Sequence, residues 1–243
     1  MYKFAAKEEV ARYKAYCQNV LNRLIKKLEK EYAIKAYVTL VGSGAENMVT
    51  RNGKGAFDLD YNLMLTSVPS KYEDSPRLLR SHVKAVLDGL VDGRFSFGKD
   101  STSAIRYFAH SEDNRCKVIF SFDVAVIREK EGKFKLVHET ENDVFIWNQV
   151  PYSKKLDKKM EAIRKSRRWG EVKTAYLALK NRYLQRDNRY HPSFIVLAEA
   201  VNQVYQTMAL KQQRRRAICA AGIMWMTIRR GRLRSWSGRR RKS

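Results

Sequence analysis

Two aspartates on one predicted strand are the residues of this sequence whose type and spacing most clearly suggest chemistry. Asp58 and Asp60 lie in the segment 57–63, which reads Phe-Asp-Leu-Asp-Tyr-Asn-Leu. Because alternate side chains of a strand point to the same face, the two carboxylates project together while the apolar residues face the other way. Neighbouring carboxylates repel each other unless a cation lies between them, and magnesium prefers carboxylate oxygens. The segment therefore predicts a divalent-cation site.

A third aspartate lies on a later strand that is otherwise apolar. In the segment 118–127, alternating Phe and Val residues share one face, and Asp123 lies on the opposite face. A charged carboxylate buried without a partner is destabilising by several kcal/mol. A metal shared with Asp58 and Asp60 would remove that penalty. Pairing with a Lys or Arg side chain is the alternative that the strand pattern leaves open.

A glycine–serine pair follows a strand predicted for residues 34–41. The backbone N–H groups and the small hydroxyl of Gly42-Ser43 can hold a phosphate. Taken alone, such a pair is most often an ordinary loop, and an Asp-x-Asp strand is often a solvated edge. The order Gly42-Ser43, Asp58-x-Asp60 and Asp123 is more specific than any of its parts.

The elements that must position these residues form an α+β pattern. Hydrophobic periodicity predicts a long first helix over 7–32, then mainly strands up to residue 147, and helices from residue 153 onwards. Further strands are predicted over 57–65, 104–108, 116–127, 134–138 and 144–147, and helices over 77–90, 154–168, 170–186 and 193–208. This order predicts a mixed-sheet lobe with flanking helices over 1–150, a helical lobe over 151–210 and a basic, disordered tail over 211–243.

The charge of the chain favours a polyanionic partner. The 243 residues carry a formal net charge of +24, which suits nucleic acid or nucleoside triphosphates. Half of that excess lies in the tail over 211–243, which holds twelve Lys or Arg residues and no acid. The basic helix over 154–168, with Trp169 beside it, could follow the phosphate backbone of RNA or DNA. An exposed, solvated helix face is an equally good interpretation.

The cysteines and the hydropathy of the sequence indicate the cellular compartment in which the protein is expected. The three cysteines are far apart in the sequence and form no zinc pattern, and their odd number argues against a disulfide scaffold. A reducing, cytoplasmic location is therefore expected. The longest apolar run, 217–228, is too short to span a bilayer, and the first residues show no signal-peptide pattern.

Taken in order, the three motifs resemble the signature of the DNA polymerase β-like nucleotidyltransferase superfamily. That signature is a Gly-Ser turn after a helix and a strand, an Asp-x-Asp strand and a third Asp on a neighbouring strand. The gap between Gly-Ser and Asp-x-Asp is most similar to that of the cyclic GMP-AMP synthase, Mab-21 and bacterial cyclic-oligonucleotide synthase branch. The segment 176–181 is similar to the helix of that branch that offers a lysine to the triphosphate, a position held here by Lys180. The resemblance covers residues 5–208.

The resemblance implies a two-metal nucleotidyl transfer. Asp58 and Asp60 would bridge two magnesium ions, with manganese as the alternative, and Asp123 would complete the second site and help to accept a proton. An acceptor hydroxyl would attack the α-phosphorus of a nucleoside triphosphate, and pyrophosphate would leave. The β- and γ-phosphates would be held by Gly42, Ser43 and Lys180.

Two alternative functions stay open, one with a different acceptor and one without catalysis. In the first, the same chemistry transfers a nucleotide to RNA, to protein or to a small molecule instead of building a cyclic or linear oligonucleotide signal. In the second, the chain is a non-catalytic nucleic-acid-binding protein that uses the basic helix over 154–168. Three converging carboxylates argue against a pure nucleic-acid binder, because such a protein would gain nothing from placing them beside phosphates.

Overall fold

The computed structural model describes residues 1–98, 102–114, 116–150, 153–186, 192–211 and 213. The tail predicted for 211–243 therefore lies outside the described residues, apart from Lys211 and Gln213. The apolar run 217–228 and Cys219 lie outside them as well. Within the described ranges, no helix is both long and apolar enough to cross a membrane.

The elements follow one another in an order that mixes strands and helices. They are β1 (Tyr2–Phe4), α1 (Lys7–Tyr32), β2 (Lys35–Val41), α2 (Gly42–Ala45), β3 (Thr50–Asn52), β4 (Phe57–Ser67), α3 (Ser70–Glu73), α4 (Pro76–Asp88), β5 (Phe95–Phe97), β6 (Ile105–His110), β7 (Val118–Glu129), β8 (Lys133–Glu139), β9 (Val144–Gln149), α5 (Lys154–Lys165) and α6 (Trp169–Gln185). Helical residues also extend over 193–211.

The long first helix has the bounds predicted from its periodicity. Helix α1 carries Glu8 and Glu9 in its first turn and Lys30 in its last, an arrangement that complements the helix dipole. It ends at Ala33, whose left-handed backbone lets its N–H bond back to the Glu29 carbonyl. The buried face of the helix consists of Cys17, Val20, Leu21, Leu24 and Leu28.

The main sheet is mixed. Its strands run in the order β2-β4-β7-β6-β5, with β8 paired to β7 and β9 paired to β8. Strands β4 and β7 are parallel, and the other neighbours are antiparallel. A separate two-stranded sheet pairs β1 with β3. The predicted α+β class with a mixed sheet is therefore confirmed.

Strand alternation separates the face of the sheet that packs into the main core from the face that carries the aspartates and a smaller apolar cluster of Met64, Ala125 and Ile127. The core brings buried residues of α1 and α4 together with one face of β4 and β7. Each large apolar side chain buried there contributes about 1.5–3 kcal/mol relative to exposure. The core residues of the two strands are Phe57, Leu59, Tyr61, Leu63, Leu65, Phe120, Phe122, Val124 and Val126. The intervening residues of β4 and β7 form the opposite face, which includes the aspartates.

The chain divides into two compact units. The first comprises Met1–Ser153 with Leu177–Ile195 and contains the main sheet, and the second comprises Lys154–Tyr176 with the described part of Val196–Ser243. Helix α6 contributes to both units, and its C-terminal half belongs to the first. The domain limits at residues 150 and 210 stay a prediction.

Candidate active site

Two neighbouring parallel strands carry the three aspartates. Asp60 on β4 lies opposite Asp123 on β7, and Asp58 lies opposite Ser121. Residues opposite each other on paired strands share a face, so the register brings the three carboxylates to one side of the sheet. Asp58 is exposed, Asp60 is half-buried and Asp123 is buried. The structure thus unites residues that lie more than sixty positions apart in the sequence.

Gly42 lies directly against this group. It follows β2, whose last residue pairs with Asp60, and it has a φ of +61°. An ideal Cβ at this position would lie 2.9 Å from Oδ2 of Asp60. The left-handed backbone favours glycine here, and any other residue would also displace the Asp60 carboxylate.

Ser43 lies in a short helix rather than in the loop that the Gly-Ser-Gly sequence predicts. Helix α2 is a single turn over Gly42–Ala45, and its Gly42 carbonyl accepts the Glu46 N–H. The Ser43 carbonyl accepts the Met48 N–H at 2.8 Å, which fixes the backbone after the turn. The half-buried Ser43 therefore lies on a defined backbone, directly after the glycine that approaches the Asp60 carboxylate.

Asp60 lies in an electrostatically unfavourable position. Burial, followed by the charges of Asp58 and Asp123, raises its pKa to about 7, while Arg106 and Lys135 act in the opposite direction. A carboxyl group with this pKa is partly protonated at neutral pH in the absence of a cation. A divalent cation next to it would favour the ionised form.

Asp123 forms an ion pair with an arginine that the sequence analysis did not single out. Arg106 on β6 lies opposite Asp123 in the antiparallel register. Its Nε donates to Oδ1 at 2.6 Å, and its Nη2 donates to Oδ2 at 2.5 Å. Hydrogen bonding to Asp123 is the main reason why the pKa of Arg106 is raised. The one signal in the sequence was a basic residue between the buried Ile105 and Tyr107.

Lys180, on the C-terminal half of α6, lies within electrostatic reach of the carboxylates. Its Nζ donates to Oγ1 of the buried Thr50 at 3.2 Å and lies 4.9 Å from the centre of the Tyr2 ring. Burial lowers the pKa of Lys180, and the charges of Tyr2, Asp58 and Asp60 raise it. A cation in this position can take part in binding a polyanion at the aspartates.

The residue after Lys180 anchors this part of the helix. The Asn181 Oδ1 accepts the Tyr2 N–H at 2.6 Å, and the Asn181 Nδ2 donates to the Tyr2 carbonyl at 3.1 Å. The amide side chain thus pairs with the backbone of β1 as a neighbouring strand would. Nothing in the local sequence pattern predicts this contact, because its partners are 179 positions apart.

The donor set suits a hard divalent cation in its chemistry but is not fully assembled. Carboxylate oxygens are the ligands that magnesium and manganese prefer, and Asp58 and Asp60 are adjacent on one face. Both oxygens of Asp123, however, accept hydrogen bonds from Arg106. Among the described residues, no three His, Cys, Asp or Glu side chains are grouped closely enough to hold a metal ion. The joint binding of two ions by the three aspartates stays a prediction.

Comparisons with known proteins were made by sequence and by structure. No protein-family model matches the chain, and no curated protein matches it in sequence. Among solved structures, Vibrio cholerae DncV cyclic AMP-GMP synthase with the linear intermediate pppA(3',5')pG matches with a TM-score of 0.50 and 12% identity, over 72% of this chain and 60% of that one. The 3'-deoxy ATP bound form of Vibrio cholerae DncV matches with a TM-score of 0.56 and 14% identity, over 82% of this chain and 67% of that one. CdnC of Escherichia coli MS115-1 with ATP matches with a TM-score of 0.50 and 12% identity, over 82% of this chain and 61% of that one.

These similarities identify the fold. The chain has a nucleotidyltransferase-type fold, of the kind found in bacterial cyclic dinucleotide synthases, and the resemblance seen in the sequence is confirmed at this level. At 12–14% identity, the likeness concerns the fold alone. The chain spans about three fifths of the length of the first DncV structure and of CdnC.

Proposed function

We propose that this chain is a metal-dependent nucleotidyltransferase that transfers a nucleoside monophosphate from a nucleoside triphosphate to an acceptor hydroxyl. The observation that carries the proposal is the parallel register of Asp60 and Asp123, with Gly42 packed against the Asp60 carboxylate. A glycine that approaches a carboxylate so closely leaves room for a phosphate-bound cation where any side chain would intrude. The nucleotidyltransferase-type fold supports the same chemistry.

The aspartates of the site would bind the cation, and the glycine–serine turn and Lys180 would bind the phosphates. Asp58 and Asp60 would hold magnesium, which lowers the pKa of the acceptor hydroxyl and offsets the charge of the triphosphate. The backbone at Gly42-Ser43 would contact the β- and γ-phosphates. Lys180, held by Thr50, would donate to a phosphate oxygen through a charge-assisted hydrogen bond.

The transfer replaces a phosphoanhydride bond of the triphosphate with a new phosphoester bond. The acceptor oxygen forms a bond to the α-phosphorus, and the bond from that phosphorus to the bridging oxygen of the β-phosphate breaks. Pyrophosphate leaves with the electron pair of the broken bond. The proton of the acceptor hydroxyl would pass to a carboxylate oxygen of Asp123, which lies opposite Asp60, once that oxygen is released from its hydrogen bond to Arg106.

The acceptor is proposed to be a second nucleotide. Two of the similar structures are named for a linear pppA(3',5')pG intermediate and for bound ATP, which makes ATP and GTP the first substrates to test. The product would be a cyclic or linear oligonucleotide. RNA is the second candidate acceptor, because α5 exposes a row of basic side chains that suits a phosphate backbone. These are Lys154, Lys155 and Lys158.

Incubation with labelled ATP, GTP, CTP and UTP tests the proposal. With magnesium, the wild-type chain should release pyrophosphate and form a labelled product, and Asp58→Ala and Asp123→Ala should each lower the rate on the order of 100-fold or more. Asp92→Asn is the matched control, because that carboxylate pairs with Arg94 in the loop before β5. Adding RNA separates the acceptors, since lengthened RNA, free oligonucleotide and labelled protein differ in size. Full activity in both alanine variants would refute the assignment.

A further inference from the structure

Arg106 holds the third aspartate of the candidate site through two hydrogen bonds. The fork-like contact uses Nε and Nη2 of Arg106 and both carboxylate oxygens of Asp123, at 2.6 and 2.5 Å. Two parallel charge-assisted bonds of this kind are among the strongest polar contacts in proteins. The pair is asymmetric in exposure, since the Arg106 side chain is 41% exposed and that of Asp123 only 12%. The arginine therefore has a path towards solvent that the aspartate lacks.

The charge of Arg106 reaches all three carboxylates. Besides its hydrogen bonds to Asp123, the guanidinium interacts electrostatically with Asp58 and Asp60. Both Asp123 oxygens, through which a divalent cation would have to bind, are already hydrogen-bonded to a positive group. With Asp123 paired to Arg106 in this way, no three His, Cys, Asp or Glu side chains of the described residues are grouped so that they could hold a metal ion.

From these observations we infer that Arg106 is the built-in counter-ion of Asp123, which a divalent cation must displace before the aspartates can bind it jointly. The inference rests on the proposed function, in which a divalent cation binds at this group. Arg106 is a positioning residue that acts through Asp123. Without a cation, it stabilises a buried carboxylate that would otherwise be unpaired. With a cation and triphosphate present, its guanidinium turns towards solvent and Asp123 joins Asp58 and Asp60.

Direct titration with manganese tests this competition without measuring turnover. Arg106→Gln removes the charge and the fork but keeps a polar side chain, and we expect it to bind Mn²⁺ roughly tenfold more tightly than the wild type, which equals about 1.4 kcal/mol. Lys135→Gln is the matched control. It also removes a positive charge that acts on Asp60, but Lys135 lies on β8 opposite Ile127 rather than opposite Asp123. Its Mn²⁺ affinity should change by less than about threefold.

A double-variant cycle separates displacement from a general charge effect. If Arg106 competes at Asp123, the gain from Arg106→Gln should disappear in an Asp123→Asn background. If the gain persists there, the effect is long-range and the inference is wrong. Equal Mn²⁺ affinity of the wild type and Arg106→Gln would also overturn it, while leaving the proposed function intact. Absence of Mn²⁺ binding in the wild type and in every variant would instead refute the metal-dependent function itself, and the inference with it.

Loss of folding in Arg106→Gln is covered by a second variant. Arg106→Lys keeps the charge but cannot make both hydrogen bonds, so the Asp123 carboxylate should be released more easily. We expect its Mn²⁺ affinity to lie between those of the wild type and Arg106→Gln, with an unchanged circular dichroism spectrum. A folded Arg106→Lys protein that binds Mn²⁺ more weakly than the wild type would show that the arginine assists the site rather than competing with the cation.

Discussion

Gly42 and Asp60 approach each other so closely that a methyl group on Gly42 would lie 2.9 Å from the Asp60 carboxylate. The contact links the turn after β2 to the strand that carries the Asp-x-Asp pair. A side chain at this position would displace the Asp60 carboxylate, in addition to straining a backbone with a φ of +61°. The relationship connects two motifs that the sequence presents as separate.

Replacing Gly42 by alanine should therefore do more than strain the backbone. The new methyl group would push the Asp60 side chain from its position, and we expect the rate of nucleotidyl transfer to fall roughly 100-fold. Gly53→Ala is a matched control, because Gly53 has a similar φ of +58° but nothing within 4 Å of an added Cβ. Both variants should lose about 1–2 kcal/mol of stability from the left-handed backbone. An equal loss of rate in both would contradict a specific contact with Asp60.

The raised pKa of Asp60 predicts an unusual dependence of stability on pH. Its value of about 7 in the folded chain lies above the ordinary 3.8. Between these values the folded state retains a proton that the unfolded chain has released, so the free energy of unfolding falls as the pH rises through this window. Above pH 7 the carboxylate is ionised in both states, and the full penalty applies.

Urea unfolding at pH 5 and pH 8 with a chelator present measures this effect. The wild type should lose roughly 2–3 kcal/mol more stability over that interval than Asp60→Asn, in which the titrating group is absent. Titrating groups other than Asp58 and Asp123, whose charges act on Asp60, are common to the two proteins and cancel in the comparison. Saturating magnesium should remove most of the difference at pH 8. Parallel pH profiles without magnesium would show that Asp60 is not electrostatically strained.

Much of the candidate site follows from local patterns in the sequence. Strand alternation is enough to place Asp58 and Asp60 on one face of β4, and the apolar neighbours of Asp123 place it on the face of β7 opposite the main core. The bounds of α1 follow from its helical period. These features are predictable because each depends on residues only a few positions apart.

The contacts that complete the site depend on long-range pairing. Arg106 meets Asp123 only because β6 lies beside β7 with one particular register, and no local pattern specifies that neighbour. Strands β1 and β3 are three residues long, too short to show a period of two. Their position is supported by tertiary contacts, including the pairing of Asn181 with Tyr2. The sequence therefore predicts the carboxylates better than the groups that neutralise and position them.

Lys180 provides a test of how the triphosphate is bound. Lys180→Gln keeps a polar side chain that can reach Thr50 but removes the charge, so we expect the affinity for ATP to fall roughly tenfold or more while the fold is retained. Lys173→Gln is the control on the same helix, seven positions earlier, and it should bind ATP as the wild type does. Calorimetric titration with ATP and magnesium compares the three proteins.

The pH dependence of the same titration gives a second, independent readout. Burial lowers the pKa of Lys180, so its ammonium group should lose its proton at a lower pH than an ordinary lysine does. ATP affinity of the wild type should accordingly begin to decline at a lower pH than the one at which exposed lysines lose their charge. Lys180→Gln should lack that decline, whereas Lys173→Gln should keep it. If Lys173→Gln rather than Lys180→Gln weakens ATP binding, the phosphate-binding lysine has been assigned to the wrong turn of α6.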